Sequence, residues 1–323
     1  MQLEINPPGI DSEYLRCLNI CFPGWGDARM AQWAFRRAVA PDPLPDWMVL
    51  REGDELLAGS AVSYRSVTLP NGGVVRAGIM TGSWTLPAAR GRGCFARVIE
   101  ESVAMTQERQ GALLLAFVTE DNPSCRQLLK AGAAAVPTSY FFTNLDDSTQ
   151  KAEPELSIAG VDNLPDAVAL WAKSREGKCR FAYSSLNDWK GQFLERPGRV
   201  DAVRDASGAF AILERTSTTD RIQAWWAPTL ESALQLFQGL REHAQHNGRK
   251  VFGFSSDAAF VARCEAMSFR KKPGYLTVMV TDWERLGDAL QTTAQPALAN
   301  EALLDPGSPW FVGSWDIQSG DRM

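Results

Sequence analysis

A chain of 323 residues can hold two average domains, and its composition, with 45% hydrophobic and 22% charged residues, is that of a protein with hydrophobic cores. Its 38 acidic and 33 basic residues give a net charge of −5 without any basic cluster, which argues against nucleic acid as the main partner. We expect a reduced, cytoplasmic protein without membrane contact, because no signal peptide pattern, no apolar run near the roughly 20 residues of a membrane span and no CxxC pair are visible.

The first half of the chain alternates strand patterns with helical patterns. Short runs of β-branched and apolar residues predict strands, and apolar residues at helical spacing predict the helices. Glycine follows each predicted helix and ends it. The predicted elements are strands at 47–50, 56–64 and 74–86, a helix at 95–106, a buried strand at 112–118, a short helix at 122–130 and a strand at 138–143.

The second half repeats this order. The predicted elements are strands at 200–204, 209–215 and 221–227, a helix at 230–240, a buried strand at 250–254, a helix at 257–266 and a strand at 275–280.

Matching residues in the two halves indicate a duplicated domain. Gly111 corresponds to Gly248 and Phe117 to Phe254, both with an offset of 137 residues (248 − 111 and 254 − 117). Chance similarity between two α/β halves is the alternative. The polar stretch 146–155 is the predicted boundary. The predicted domains are 1–145 and 153–281, followed by an extension at 282–323.

The most informative segment runs from Trp84 to Phe95 and reads WTLPAARGRGCF. A strand leads through a proline turn into a basic, glycine-rich loop and then into a helix. Glycines allow backbone N–H groups to converge on one point, and the helix N-terminus adds partial positive charge there. This pattern predicts a diphosphate site. A solvated turn is the alternative, whereas the G-x-G-x-x-G spacing of a dinucleotide site is absent.

The segment resembles the acyl-CoA loop of the GNAT (Gcn5-related N-acetyltransferase) family, written Q/R-x-x-G-x-G/A. Arg90 stands at its first position and Gly93 at its fourth, while Phe95 departs from the sixth. The following ALLLAFVTEDNPSCRQLLKAGA is similar to the family's second CoA strand and its N-x-x-S helix. The resemblance covers residues 20–143.

The resemblance implies a fold and a set of cofactor contacts. The fold is α/β, with two GNAT-like domains that each have a mixed, mostly antiparallel central sheet flanked by helices. Main-chain groups near the end of the third strand would bind the pantetheine arm, the loop amides would bind the pyrophosphate, and the short helix would touch the cofactor. The implied cofactor-binding residues are Ser83, Trp84, Thr85, Arg90, Gly91, Arg92, Gly93, Cys94, Phe95, Ala96, Asn122 and Ser124.

The activity implied is acyl transfer from a CoA thioester, with acetyl-CoA as co-substrate and no metal, to a small-molecule amine. A non-catalytic protein that binds acyl-CoA as a structural or sensing ligand is the alternative, and a protein lysine or N-terminus is a further acceptor class. The second half lacks the loop, since it reads Trp225-Trp226-Ala227-Pro228-Thr229-Leu230-Glu231. Glu231 would repel a pyrophosphate, so we expect a degenerate partner without its own CoA.

No catalytic residue is assigned from the sequence. The strand at 78–86 has no Asp or Glu to act as a base, and leucines stand where the family has its acidic tyrosine. Tyr140 and Glu120 are candidate substitutes, with a core aromatic and a solvated strand end as the respective alternatives.

Other chemistry-bearing residues have structural alternatives that we favour. Cys94 lies in the loop, where a helix terminus lowers a thiol pKa. Cys17 and Cys21 share a helix face, and His243 and His246 are too few for a metal site. Trp25 and Trp33 either line the acceptor site or belong to the core.

Overall fold

The computed structural model describes residues 1–144, 157–159, 164–290 and 315–322. The predicted boundary at 146–155 therefore lies outside the described residues, as does most of the tail after residue 290. In the first half the elements are β1 (Gln2–Ile5), α1 (Asp11–Cys21), α2 (Ala28–Phe35), β2 (Asp46–Glu52), β3 (Glu55–Thr68), β4 (Val74–Thr85), α3 (Cys94–Glu108), β5 (Leu113–Thr119), α4 (Pro123–Lys130) and β6 (Ala134–Phe142).

The remaining elements follow the order of the first half, with an additional short strand between the first two helices and an additional helix at the end. They are β7 (Ser157–Ala159), α5 (Leu164–Ser174), β8 (Arg180–Phe181), α6 (Leu186–Phe193), β9 (Arg199–Arg204), β10 (Phe210–Arg215), β11 (Thr219–Trp226), α7 (Leu230–His246), β12 (Lys250–Ser255), α8 (Ala258–Ala266), β13 (Arg270–Val280) and α9 (Trp283–Leu290). None of the helices in these described ranges is both long and apolar enough to cross a membrane.

Two compact units divide the described residues. The first unit contains 1–136 and 275–290, and the second contains the described part of 137–274 together with 315–322. Compared with the linear ranges 1–145 and 153–281, each unit therefore lacks one strand region of its own range and contains one from the other range. That the duplicated domains correspond to these two linear ranges stays a prediction.

The sheet of the first unit is mixed. Strands β1, β2, β3 and β4 are antiparallel neighbours in that order, and β5 pairs with β4 in parallel. Residues 275–280 of β13 lie beside β5, where the hydroxyl of Thr277 donates to the carbonyl of Ala116 at 3.1 Å. Strand β5 thus has a neighbour on both edges, and its side chains on both faces of the sheet are buried, which explains its nearly continuous apolar sequence.

Helices cover both faces of this sheet. On one face, Val98 and Ile99 of α3 pack with Tyr64 and Leu114 of the sheet. On the other face, Tyr14 of α1 and Phe35 of α2 pack against Trp47 and Trp84. Both layers consist largely of buried apolar side chains, and such close packing holds the sheet as a rigid platform for the site at its edge.

The second unit has the same strand plan. Strands β7, β9, β10 and β11 are antiparallel neighbours, β12 pairs with β11 in parallel, and residues 139–142 of β6 pair with β12. Its core contains interlocking aromatic rings, such as Phe141, Phe237 and Phe260. The common plan of the two units agrees with the predicted repeat and with the predicted α/β fold class.

Candidate active site

Strands β4 and β5 diverge toward their carboxyl ends. Their parallel register comprises three residue pairs, from Ala77 with Leu113 to Ile79 with Leu115. Beyond these pairs β4 continues to Thr85 and β5 continues to Thr119. A cavity of about 550 Å³ opens in this wedge, between the end of β4 and the first turn of α4. The wedge gives an extended ligand access to the edge of β4.

A β-bulge reshapes β4 at the wedge. Gly59 opposes Trp84 while Ala61 opposes Thr81, so Gly82 and Ser83 together oppose one residue of β3. Gly82 has a φ of 59°, and its carbonyl accepts a hydrogen bond of 2.9 Å from the hydroxyl of Tyr14. Burial raises the pKa of Tyr14 well above its ordinary value, so this phenol stays protonated and holds the bulge.

The last residue of β4 directs its backbone toward the open side. The N–H of Leu86 donates to the carbonyl of Leu57 on β3 at 2.9 Å. Because successive residues of a strand point their polar groups in opposite directions, the N–H and C=O of Thr85 face away from β3. The thiol of Cys21 contacts the Thr85 carbonyl at 3.4 Å, and burial raises the pKa of this thiol. The Thr85 amide is therefore available along the wedge.

The glycine-rich loop ends at an uncapped helix. A short 3-10 turn spans Pro87–Ala89, and both Gly91 and Gly93 have a φ of 78°, a conformation that favours glycine. Gly93 is the N-cap of α3, and no side chain caps this helix. Since the first amides of a helix have no partner within it, the N–H groups that begin α3 face the loop unpaired by a cap. Together they form a site of partial positive charge at the cavity.

The two arginines of the loop behave differently. Arg90 is exposed and lines the cavity, and no ion pair joins it to any residue in the described ranges. Arg92 instead donates to Glu52 at 2.7 Å, in an exposed pair, and does not line the cavity. The amide of Arg90 is also occupied, because it donates to the Pro87 carbonyl at 3.3 Å. An anion would therefore meet the Arg90 side chain and the amides from residue 91 onward.

Asn122 connects the wedge to α4. It is the N-cap of that helix, and its Oδ1 accepts from the N–H of Ser124 at 2.9 Å. This bond orients the side-chain amide of Asn122, and both residues line the cavity.

The structure brings together all the sequence-predicted cofactor residues except Arg92. Five further residues line the same cavity. Cys21 is the last residue of α1 and Phe22 is its C-cap, and the sequence pointed to Cys21 only as the residue that shares a helix face with Cys17. The predicted residues that line the cavity are Ser83, Trp84, Thr85, Arg90, Gly91, Gly93, Cys94, Phe95, Ala96, Asn122 and Ser124, and the additional ones are Cys21, Phe22, Ala89, Pro123 and Gln127.

Neither candidate acid–base residue lines this cavity. The carboxylate of Glu120 accepts from the hydroxyl of Tyr275 at 3.2 Å, beside a neighbouring cavity of about 590 Å³ that is also lined by Asn122, Pro123 and Gln127. Burial, followed by the negative charge of Glu120, raises the pKa of Tyr275. Tyr140 accepts from Arg322 at 2.8 Å within the second unit. None of the described residues around the 550 Å³ cavity is an Asp, Glu, His or Tyr.

The remaining candidates have structural surroundings. Cys94 is buried, with its sulfur 3.7 Å from the carbonyl of Ala89. Cys17 is buried in the same core as Trp33, and burial raises its pKa. The ring of Trp25 stacks on Phe35. In the described part of the chain no group of three or more His, Cys, Asp or Glu residues is arranged to hold a metal ion.

The corresponding helix of the second unit is capped from within. The hydroxyl of Thr229 accepts from the N–H of Ser232 at 3.1 Å, and Glu231 lies in the first turn of α7. A capped N-terminus beside a carboxylate is unfavourable for a diphosphate.

Comparisons with solved structures agree with this architecture, although no protein-family model and no curated protein matches the sequence. A GCN5-related N-acetyltransferase from Anabaena variabilis is 16% identical, with a TM-score of 0.59 over 89% of this chain and 75% of that one. A tandem GNAT protein from the clavulanic acid biosynthesis pathway is 14% identical, with a TM-score of 0.59 over 87% and 99%.

A third similar structure is Saccharomyces cerevisiae N-myristoyltransferase with bound myristoyl-CoA. It is 9% identical, with a TM-score of 0.63 over 87% of this chain and 79% of that one. At such identities the similarity concerns the fold. The chain thus has the GNAT fold, and its two units are consistent with a tandem GNAT-like architecture.

Proposed function

We propose that the first unit binds an acyl-CoA, with acetyl-CoA as the physiological donor, and transfers the acyl group to a small-molecule amine. The observation that carries the proposal is that the uncapped start of α3 and the open edge of β4 border one cavity. The start of α3 suits the diphosphate of CoA, and the open edge of β4 suits the pantetheine chain with its two amide groups. The GNAT fold supports the same activity.

Each cofactor contact is assigned by chemistry. The amides of residues 91–96 hold the diphosphate, each contributing on the order of 1.5–3 kcal/mol. The guanidinium of Arg90 adds a charge–charge contact. The main chain of Ser83 to Thr85 pairs with the pantetheine arm, and Asn122 and Ser124 contact it from α4. Arg92 contributes through its backbone, because its side chain pairs with Glu52.

The reaction then needs mainly positioning and removal of a proton. A neutral amine attacks the thioester carbonyl, the new C–N bond forms, the C–S bond breaks, and the CoA thiolate takes up the proton that the amine releases. An amine with a pKa of about 10.4 is neutral once in roughly 2,500 molecules at pH 7, which costs about 4.6 kcal/mol. Orientation of the two reactants supplies about 7–11 kcal/mol. Water carries the proton, and the Thr85 amide polarises the carbonyl.

A non-catalytic acyl-CoA-binding protein is the second candidate. It is favoured by the absence of an Asp, Glu, His or Tyr among the described residues that line the cavity. Acylation of a protein lysine or N-terminus is a further version of the catalytic proposal. We place either function in the cytoplasm, in keeping with six cysteines that form no CxxC pair.

Binding and turnover distinguish these functions. At a free acetyl-CoA concentration of about 100 times Kd, we expect the melting temperature of the ligand-binding unit to rise by about 5–10 °C. Acetyl-pantetheine, which lacks the diphosphate, is the matched control and should give little shift. Thiol release is then measured with amino sugars, amino-acid amides and a lysine peptide. Stabilisation without thiol release on any acceptor supports the binding protein, and equal shifts with both ligands contradict the diphosphate site.

A further inference from the structure

The second unit contains a wedge equivalent to that of the first. Strands β11 and β12 are paired in parallel from Thr219 with Lys250 to Arg221 with Phe252. Beyond these pairs β11 continues to Trp226 and β12 continues to Ser255. In the first unit the corresponding space is a cavity.

Here residues 315–322, which we call the terminal segment, lie between the two strands. Gln318 forms an isolated antiparallel bridge with Ser255 of β12. The N–H of Ser256 donates to the carbonyl of Ile317 at 3.3 Å, and the Ser256 hydroxyl donates to the carbonyl of Trp315 at 2.7 Å. The segment therefore pairs with the carboxyl end of β12 much as a short strand would.

Gln318 also forms hydrogen bonds with backbone groups at the edge of β11. Its Oε1 accepts from the N–H of Trp225 at 2.9 Å, and its Nε2 donates to the carbonyl of the same residue at 3.1 Å. The indole of Trp171 donates to the same Oε1 at 3.1 Å. A side-chain amide thus occupies both backbone groups of a strand edge. The secondary amides of a pantetheine arm are the groups expected to bind such an edge.

Buried charges fix the segment in place. The guanidinium of Arg175 and the carboxylate of Asp321 are both buried and lie 2.9 Å apart. The other oxygen of Asp321 accepts from the hydroxyl of Tyr183 at 2.8 Å, and the carbonyl of Gly320 accepts from Gln192. Separating these partners would leave buried charges without compensation, which is strongly unfavourable.

We propose that the terminal segment is an internal ligand that permanently occupies the cofactor groove of the second unit, with the Gln318 amide in the place of a pantetheine amide. The groove binds a peptide of this chemistry and is closed to acyl-CoA. The full chain consequently has one acyl-CoA site. The occupancy of the groove is independent of the proposed function, whereas the count of one site rests on it.

The first experiment tests occupancy without any cofactor. A specific protease site is inserted into the full chain between residues 300 and 310, the purified protein is cleaved, and retention of the C-terminal fragment is followed by gel filtration. We expect the fragment to stay bound. Synthetic peptides of residues 315–323 then compete for release of the fragment. Gln318→Ala should compete at least about tenfold less well than the native peptide, because three hydrogen bonds are lost.

Ser319→Ala is the matched control peptide. The Ser319 hydroxyl is buried and has no hydrogen-bond partner among the described residues, so its removal should leave competition within about twofold of the native peptide. Equal competition by the native and Gln318→Ala peptides would overturn the proposal, as would loss of the native fragment on cleavage. Because only the peptides are altered, the result does not depend on folding of a variant protein.

Equilibrium dialysis of the uncleaved chain with acetyl-CoA gives the second test. One bound equivalent is expected, and two equivalents would show the groove to be open and contradict the inference. Zero equivalents with a retained fragment would instead refute the proposed function and the count of one site, while the internal ligand stands.

Discussion

Gly91 and Gly93 determine the shape of the loop at the residue scale. Both have a φ of 78°, and a Cβ at either position would meet no atom within 4 Å. Their need for glycine is therefore conformational and not steric. The positive φ values turn the chain so that its amides converge before α3 begins. The conformation of this loop could be predicted from the sequence, because few backbone conformations connect a strand, a proline turn and a helix through so short a glycine-rich segment.

Gly93→Ala should weaken acetyl-CoA binding by about 5- to 30-fold. An L-residue in the left-handed region costs about 1–2 kcal/mol, which either strains the loop or moves its amides. Gly132→Ala is the control, since Gly132 has a φ of 95°, has equally open surroundings and does not line the cavity. Titration calorimetry on both variants measures the effect. Equal affinities in the two variants would show that the loop does not hold the ligand.

At the scale of elements, an ion pair joins the start of β2 to the end of α3. The guanidinium of Arg109 donates two hydrogen bonds to Asp46, at 2.8 and 2.9 Å. The hydroxyl of Tyr64 on β3 also donates to Asp46, at 2.8 Å. Burial alone would raise the pKa of the Asp46 carboxyl, but hydrogen bonds from Arg109, Asn6 and Tyr64 lower it below its ordinary value.

This lowered pKa predicts an acid-dependent loss of stability. The carboxylate stabilises the fold above its unfolded pKa of about 3.9, and the contribution is lost as the pH falls through the lower native pKa. Asp46→Asn should cost about 1–3 kcal/mol at pH 7, since Arg109 is half exposed, and the difference from the wild type should shrink below pH 4. Urea unfolding across pH 2–7 measures this. The exposed Asp54→Asn should follow the wild type, and a difference for Asp46→Asn that is independent of pH would refute the explanation.

Most elements were predictable because their signals are local. The run ALLLAFV and the helical spacing from Phe95 to Thr106 gave β5 and α3 within two residues of their ends. The only indication of the bulge at Gly82 in the sequence was the presence of glycines within the third predicted strand. Its register and the hydrogen bond from Tyr14 depend on a helix 68 residues away, and no local pattern contains that information.

At the scale of the whole molecule, each unit obtains one strand from the other half of the sequence. Residues 275–280 complete the sheet of the first unit, and residues 137–142 belong to the second. The sequence predicted both strands but assigned them to continuous ranges, because periodicity identifies a strand and not its partner. The partners of the terminal segment were missed for the same reason, since they lie between 59 and 182 residues away.

A fragment of residues 1–145 should therefore fail to fold on its own. It lacks residues 275–280, so one edge of the apolar strand β5 would have no neighbour from the native unit. We expect aggregation, or poorly dispersed amide resonances, where the full chain gives a cooperative melting transition. A soluble fragment with sharp, dispersed resonances would show that the continuous range is a domain.

The exchanged strands also affect how the protein is made on the ribosome. Residue 275 is synthesised more than 150 residues after β5 ends at Thr119. At 5–20 residues per second, β5 waits roughly 10–30 s for its native neighbour. During this time the nascent chain presents an apolar edge to the translation machinery and to other chains. The order of synthesis therefore predicts an interval in which this strand edge is exposed to aggregation.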